Sequence, residues 1–166
     1  MFLTLFAAAA LAESPADLTE RATGTFKSTD AASVIEGRRQ AAIDRTLEPM
    51  NFALAILARG KLEDTLTACS SYTAKLDGGT FTFQCDDKNQ VVTVLGGGPA
   101  PFTNQEGKSY MVSSSQRGES MLDVIFQGDS GAQTTTFDFS GEIIVVTKTV
   151  TSDMLEVPLS CTFNYR

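Results

Sequence analysis

Beyond Glu63, apolar and polar residues alternate with a period of two, and no helical stretch interrupts them before the C-terminus. Such a period sends successive side chains to opposite faces of a sheet, so this part of the chain is committed to β-structure. The runs 66–76, 80–85, 90–95, 109–115, 121–127, 134–139, 142–151 and 157–165 read as strands. Turn residues punctuate them at Asp77-Gly78, Arg117-Gly118, Gly128-Asp129 and Ser140-Gly141, with a longer loop over 152–156. Strands joined this way pair as antiparallel neighbours, and a long meander removes its exposed edges by closing into a barrel. A two-residue turn at Asp77-Gly78 sets Tyr72 opposite Phe83.

Ahead of the sheet, residues 30–62 follow a helical period. Thr29 or Asp30 is placed to cap the start, and Ile43, Leu47, Met50, Leu54 and Leu57 form one apolar stripe. Pro49 breaks or kinks the run and Gly60 marks its end. The polar face carries both signs of charge, which suits packing on the sheet better than lying on a membrane. Gly24 to Ser28 adds one short strand before the helices. The expected fold is mainly β: an antiparallel up-and-down barrel of about eight or nine strands, with a helical segment packed on it or capping it.

With 166 residues the chain suits one domain. Met1 to Ala12 is apolar and uncharged and ends in Ala10-Leu11-Ala12, the small-x-small pattern of a signal peptide. Cleavage between Ala12 and Glu13 would leave 13–166 as a single exported domain, periplasmic or extracellular, with helical part 30–62 and sheet part 65–166. The leader is too short to span a bilayer, so no transmembrane segment is expected.

The chain has no histidine, which removes histidine-based nucleophile systems, a histidine general base near neutral pH and histidine metal sites. A net charge of −7 argues against a nucleic-acid partner. The helical segment is net positive by one, so the acidity lies on the barrel turns and the N-terminal tail.

Motifs for chemistry are sparse. Gly96-Gly97-Gly98-Pro99 and Gly107-Lys108-Ser109 suggest a phosphate loop, but the pattern needs glycine where Phe102 stands and a helix where 110–115 reads as strand. Asp86 and Asp87 are adjacent at a strand end and read as a polar turn rather than paired carboxylates. Ser113, Ser114 and Ser115 have no base and read as an exposed strand. No cofactor, metal site or enzymatic activity is expected.

Cys69, Cys85 and Cys161 are too widely spaced for a redox or zinc motif. Cys69 and Cys85 fall at the open end of one hairpin and are the favoured disulfide pair, although strict alternation would need a bulge to turn them to one face. Three buried thiols remain the other reading.

The aromatic constellation is the main candidate site. Phe81 and Phe83, Tyr110 and Val112, Leu122, Val124 and Phe126, Phe137 and Phe139, and Phe163 and Tyr165 each share a parity within their strand. Convergent parities would line one barrel interior, which is either a packed core or a site for one small ligand. Tyr110 and Tyr165 are its polar tips.

The order of a Gly-Thr-Phe strand, a helical insertion and an up-and-down meander resembles the calycin barrels: lipocalins in their opening strand, and intracellular fatty-acid-binding proteins in the helix pair after it. Phe26 stands where the lipocalin opening carries tryptophan. The segments 146–166 (VTKTVTSDMLEVPLSCTFNYR) and 51–62 (NFALAILARGKL) resemble uncharacterised secreted bacterial lipocalin-like proteins. This resemblance implies a secreted or periplasmic protein binding a small hydrophobic molecule in its barrel. The alternative is a non-catalytic structural or interaction module, such as an inhibitor or envelope-associated factor, whose barrel is filled and whose protein partner is unknown.

Overall fold

The computed structural model describes residues 15–166, so the expected leader and its Ala12-Glu13 cleavage point lie outside the described residues. The described order is α1 (Pro15–Arg21), β1 (Gly24–Lys27), α2 (Ala32–Leu47), α3 (Phe52–Thr65), β2 (Ser71–Asp77), β3 (Thr80–Cys85) and β4 (Val91–Val94). It continues through β5 (Ala100–Thr103), β6 (Ser109–Arg117), β7 (Met121–Gly128), β8 (Gly131–Asp138), β9 (Ile144–Ser152) and β10 (Leu159–Tyr165). Among these, no helix is long and apolar enough to cross a membrane.

The strands form two antiparallel sheets, β1-β2-β3-β4 and β10-β9-β8-β7-β6-β5. They meet along two seams. At one, Lys27 and Arg166 exchange backbone hydrogen bonds of 2.8 and 2.9 Å, beside a bridge between Ser28 and Tyr165. At the other, Leu95 bridges Ser114 in parallel and Gly96 N donates to Ser114 O at 2.8 Å. Neither sheet closes on itself, so the architecture is a barrel-like pair of sheets with helices at its N-terminal side. Ser114 is buried rather than exposed, because its strand turns it inward at this seam.

Two expectations about the sheet are corrected. Among the described residues there are ten strands, one beyond the expected eight or nine, because Ala100–Thr103 pairs with β6. Its Pro101 reads as a loop residue, yet proline is tolerated on an edge strand, and β5 is the edge of its sheet. The first hairpin turns at Gly78-Gly79, not Asp77-Gly78, so Asp77 pairs with Thr80 and Tyr72 pairs with Cys85 rather than Phe83. A type I′ turn needs positive φ at both central residues, and Gly78 (+54°) and Gly79 (+80°) supply it without a side-chain clash. The two-residue shift preserves the faces, and the Tyr72 and Phe83 rings still lie 6.3 Å apart.

The helical segment does divide near Pro49, but the stripe does not continue across the break. Ile43 and Leu47 are buried, whereas Leu54 and Leu57 are 52% and 73% exposed. The break resets the helical phase, so α3 turns Ala55, Ala58 and Leu62 inward instead. Gly60 does not end the helix, which runs on to Thr65. Its last carbonyls are held by Arg39 of α2, which donates to Glu63 O and Leu66 O at 2.6 Å.

Capping also differs from expectation. Ala31 is the N-cap of α2 and makes no side-chain bond. Asp30 instead joins α2 to β10: it accepts from Arg38 Nη1 at 2.6 Å and from Asn164 N at 3.0 Å. Burial works against the Asp30 charge, yet the hydrogen bonds from Asn164 and Arg38 outweigh it and hold the carboxyl below its usual range. Asp30→Asn is therefore expected to cost about 2 kcal/mol at neutral pH. A lowered folded-state pKa gives stability that is present above the ordinary carboxylate range and fades as the pH falls through it. Urea unfolding of both proteins at neutral and acid pH should show the difference shrinking in acid; a constant difference contradicts the assignment. Asn51 caps α3 by accepting from Leu54 N at 3.0 Å, so Asn51→Ala should lose about 1 kcal/mol in the same assay.

Candidate ligand cavity

The barrel interior is divided along its length. Phe81, Val112, Leu122, Val124, Phe137, Phe139, Phe163 and Tyr165 are each at most 2% exposed and fill one part solidly. Phe137 is the hub of this packing, with ring centres 5.4 Å from Tyr72 and from Phe81 and 5.2 Å from Phe83. Only Phe83, Tyr110 and Phe126 among the candidate lining residues border open space, a cavity of about 240 Å³. Phe102, on the strand that the sequence pattern missed, joins them with its ring centre 5.8 Å from that of Phe126.

The rim of the cavity is polar and comes from three places: Thr65 at the end of α3 with Thr67 just beyond it, Lys88 and Asn89 in the β3–β4 turn, and 104–106 in the β5–β6 turn. Gly107-Lys108-Ser109 therefore belongs to a hairpin at the rim. Asp86 is indeed part of a turn, and its carboxylate accepts from Ser70 N at 3.0 Å and Ser71 N at 2.8 Å.

Cys69 and Cys85 form a disulfide with Cα atoms 5.5 Å apart, and Cys161 is a buried free thiol. The bulge expected from alternation is unnecessary, because residues 66–70 are irregular and β2 begins only at Ser71. Cys69, Cys85 and Asp86 are the one group of clustered metal-ligand types among the described residues, and the disulfide has already consumed both sulfurs.

Lys148, like Phe102, is a cavity residue that was absent from the sequence-based site. Lys148 on β9 is 7% exposed and lines the cavity. Its Nζ donates to Thr67 O at 2.7 Å, lies 3.8 Å from Cys69 Sγ, and stands 6.0 Å from the centre of the Tyr72 ring. No carboxylate pairs with it among the described residues. Burial pulls the ammonium down to about 8, and Lys88 adds to this, while Asp86 and Cys161 oppose it. The signal was present in the alternation: Lys148 shares the inward parity of Val146.

Polar groups gather at the same end. Thr135 faces Lys148 across the β8–β9 ladder, is 2% exposed and lines the cavity, as does Gln133. Tyr165, in contrast, is not an available tip: its hydroxyl donates to Cys69 O at 3.1 Å, and burial pushes its pKa up to about 12. Tyr110, half-buried near the rim, packs edge-on to Phe126 with ring centres 6.2 Å apart. The cavity thus has aromatic residues in its lining and, in its wall, a buried Lys148 amine with no carboxylate partner among the described residues.

No family model matches this sequence, and no curated protein matches it. Solved structures do. A fatty-acid-binding protein of Schistosoma mansoni in complex with arachidonic acid superposes with a TM-score of 0.54 at 15% identity, covering 90% of this chain and 97% of that one. Lipid binding protein 8 of Caenorhabditis elegans gives 0.52 at 12% identity, over 88% and 94% of the two chains. Human cRBP IV gives 0.53 at 14% identity, over 87% and 96%. These likenesses agree with the element order and show a calycin-type fold.

Proposed function

We propose that this chain is an exported, non-catalytic binding protein that carries one small, largely apolar molecule in its barrel. The observation that carries the reading is the cavity itself, with Phe83, Phe102, Tyr110, Phe126 and the buried Lys148 in its lining. An apolar pocket with few convergent polar groups is the usual form of a small-molecule site. Lipid-binding proteins among the structures of similar fold support the same reading. The volume of about 240 Å³ lies below the range of roughly 300–1,000 Å³ common for drug-sized ligands, which favours a short ligand over a long-chain lipid. Export draws support from the Cys69–Cys85 bond, since disulfides persist in oxidising compartments.

Protein purified from an oxidising compartment is expected to show a ligand mass in native mass spectrometry that solvent extraction removes. The extracted protein should then take up one equivalent of N-phenyl-1-naphthylamine, an uncharged fluorescent probe. Failure of both overturns the binding reading. Weight then moves to an interaction module, for which the eight tightly packed interior residues are the supporting observation.

A further inference from the structure

We infer that Lys148 captures small apolar aldehydes covalently, holding them in the cavity as an imine on its Nζ. This rests on the cavity being a ligand site, and the test separates the two ideas.

Three features of the site point to this chemistry. First, the amine is inside the cavity wall, 7% exposed, with no carboxylate to fix it as an ammonium ion. Its one strong hydrogen bond goes to the neutral Thr67 carbonyl, which a neutral amine can also satisfy while its lone pair stays free. Second, the groups pressed against it include apolar and sulfur atoms that cannot solvate a charge well: the Tyr72 ring, the disulfide sulfur of Cys69, and Cys161 directly opposite in the β9–β10 ladder. A desolvated lysine in an apolar pocket is the usual arrangement for condensation with a carbonyl group. Third, hydroxyls stand ready for the displaced oxygen. Tyr72 and Thr135 are both 2% exposed and line the cavity, and neither hydroxyl has a hydrogen-bond partner among the described residues.

The condensation is balanced without any further reagent. The Nζ lone pair forms a bond to the aldehyde carbon, and the carbonyl π electrons move to oxygen. A proton passes from nitrogen to that oxygen, giving a carbinolamine that Thr135 or Tyr72 can hold by hydrogen bonding. The oxygen then leaves as water with the second nitrogen proton, and the C=N bond remains. Water is the only by-product, and the reaction reverses when water returns.

Selectivity should be measurable. The other five lysines, Lys27, Lys61, Lys75, Lys88 and Lys108, are exposed. An ordinary lysine is neutral in roughly one molecule in 2,500 at neutral pH. With its ammonium held down to about 8, Lys148 is neutral far more often.

The intact protein is incubated with octanal near neutral pH, reduced with cyanoborohydride and mapped by peptide mass spectrometry. Expected is one dominant octyl adduct on Lys148, formed at least ten-fold faster than on any exposed lysine. K148R should form no dominant adduct; K148M serves the same purpose where arginine disrupts the fold. Octanol, which cannot condense, is the companion ligand. Labelling of Lys148 no faster than of the exposed lysines, with octanol still displacing the probe, overturns capture and leaves the binding site intact. Failure of both octanol and octanal to displace the probe removes the site and the capture together.

Discussion

Replacing Cys69 and Cys85 together with serine is expected to lower the unfolding free energy by about 3 kcal/mol. Their sequence separation is 16 residues, and a cross-link closing about that length removes unfolded-state freedom worth roughly 3 kcal/mol. The native consequences are local but concentrated. The irregular stretch 66–70 has no strand partner ladder of its own, and it supplies Thr67 O to Lys148 and Cys69 O to Tyr165. Freeing Cys69 loosens both bonds and with them the part of the cavity wall around Thr67 and Lys148. Urea denaturation of the double variant against the parent tests the magnitude, with Cys161 left in place. A loss under about 1 kcal/mol would mean that Leu66, which is fully buried, already fixes this stretch without the cross-link.

Lys148→Met is expected to move stability the other way, raising it by about 2 kcal/mol near neutral pH. A fall in pKa from 10.5 to about 8 corresponds to roughly 3 kcal/mol of penalty for holding the charge inside. Methionine removes that penalty but leaves Thr67 O without its donor, which returns about 1 kcal/mol. The pH dependence identifies the cause. The folded-state pKa is depressed, so the unfolded chain binds the extra proton between about 8 and 10.5, and the parent gains stability as the pH rises through that window. The advantage of the methionine variant should therefore be full below about pH 8 and shrink above it. A variant less stable than the parent at neutral pH would show that the amine is better compensated than its surroundings indicate.

Much of the fold was legible because the barrel obeys alternation. Phe81, Phe83, Leu122, Val124, Phe137 and Phe163 face inward as their parity requires, and the helical segment parts near Pro49. What escaped was set by geometry between segments. Pro101 concealed an edge strand, because proline is excluded only where a ladder needs its missing donor. The Gly78-Gly79 turn and the irregular approach to Cys69 depend on local φ values and on what lies opposite, neither of which a period of two encodes. The site was legible in kind but not in extent. Interior parity selects residues that point inward, and it does not say where the packing stops. Lys148 was overlooked for a related reason: a charged side chain among inward valines reads as an outward residue until its neighbours are seen to cover it.

The division of the barrel into a solid part and a hollow part sets how the molecule can change over time. Substitutions around Phe137 would register as folding defects, whatever they did to a ligand. Along Phe102, Tyr110 and the two rim turns, side chains can be exchanged with little cost to folding, because few buried neighbours depend on them. Such a chain can be retuned to a different guest at its open end while the closed end keeps the architecture unaltered.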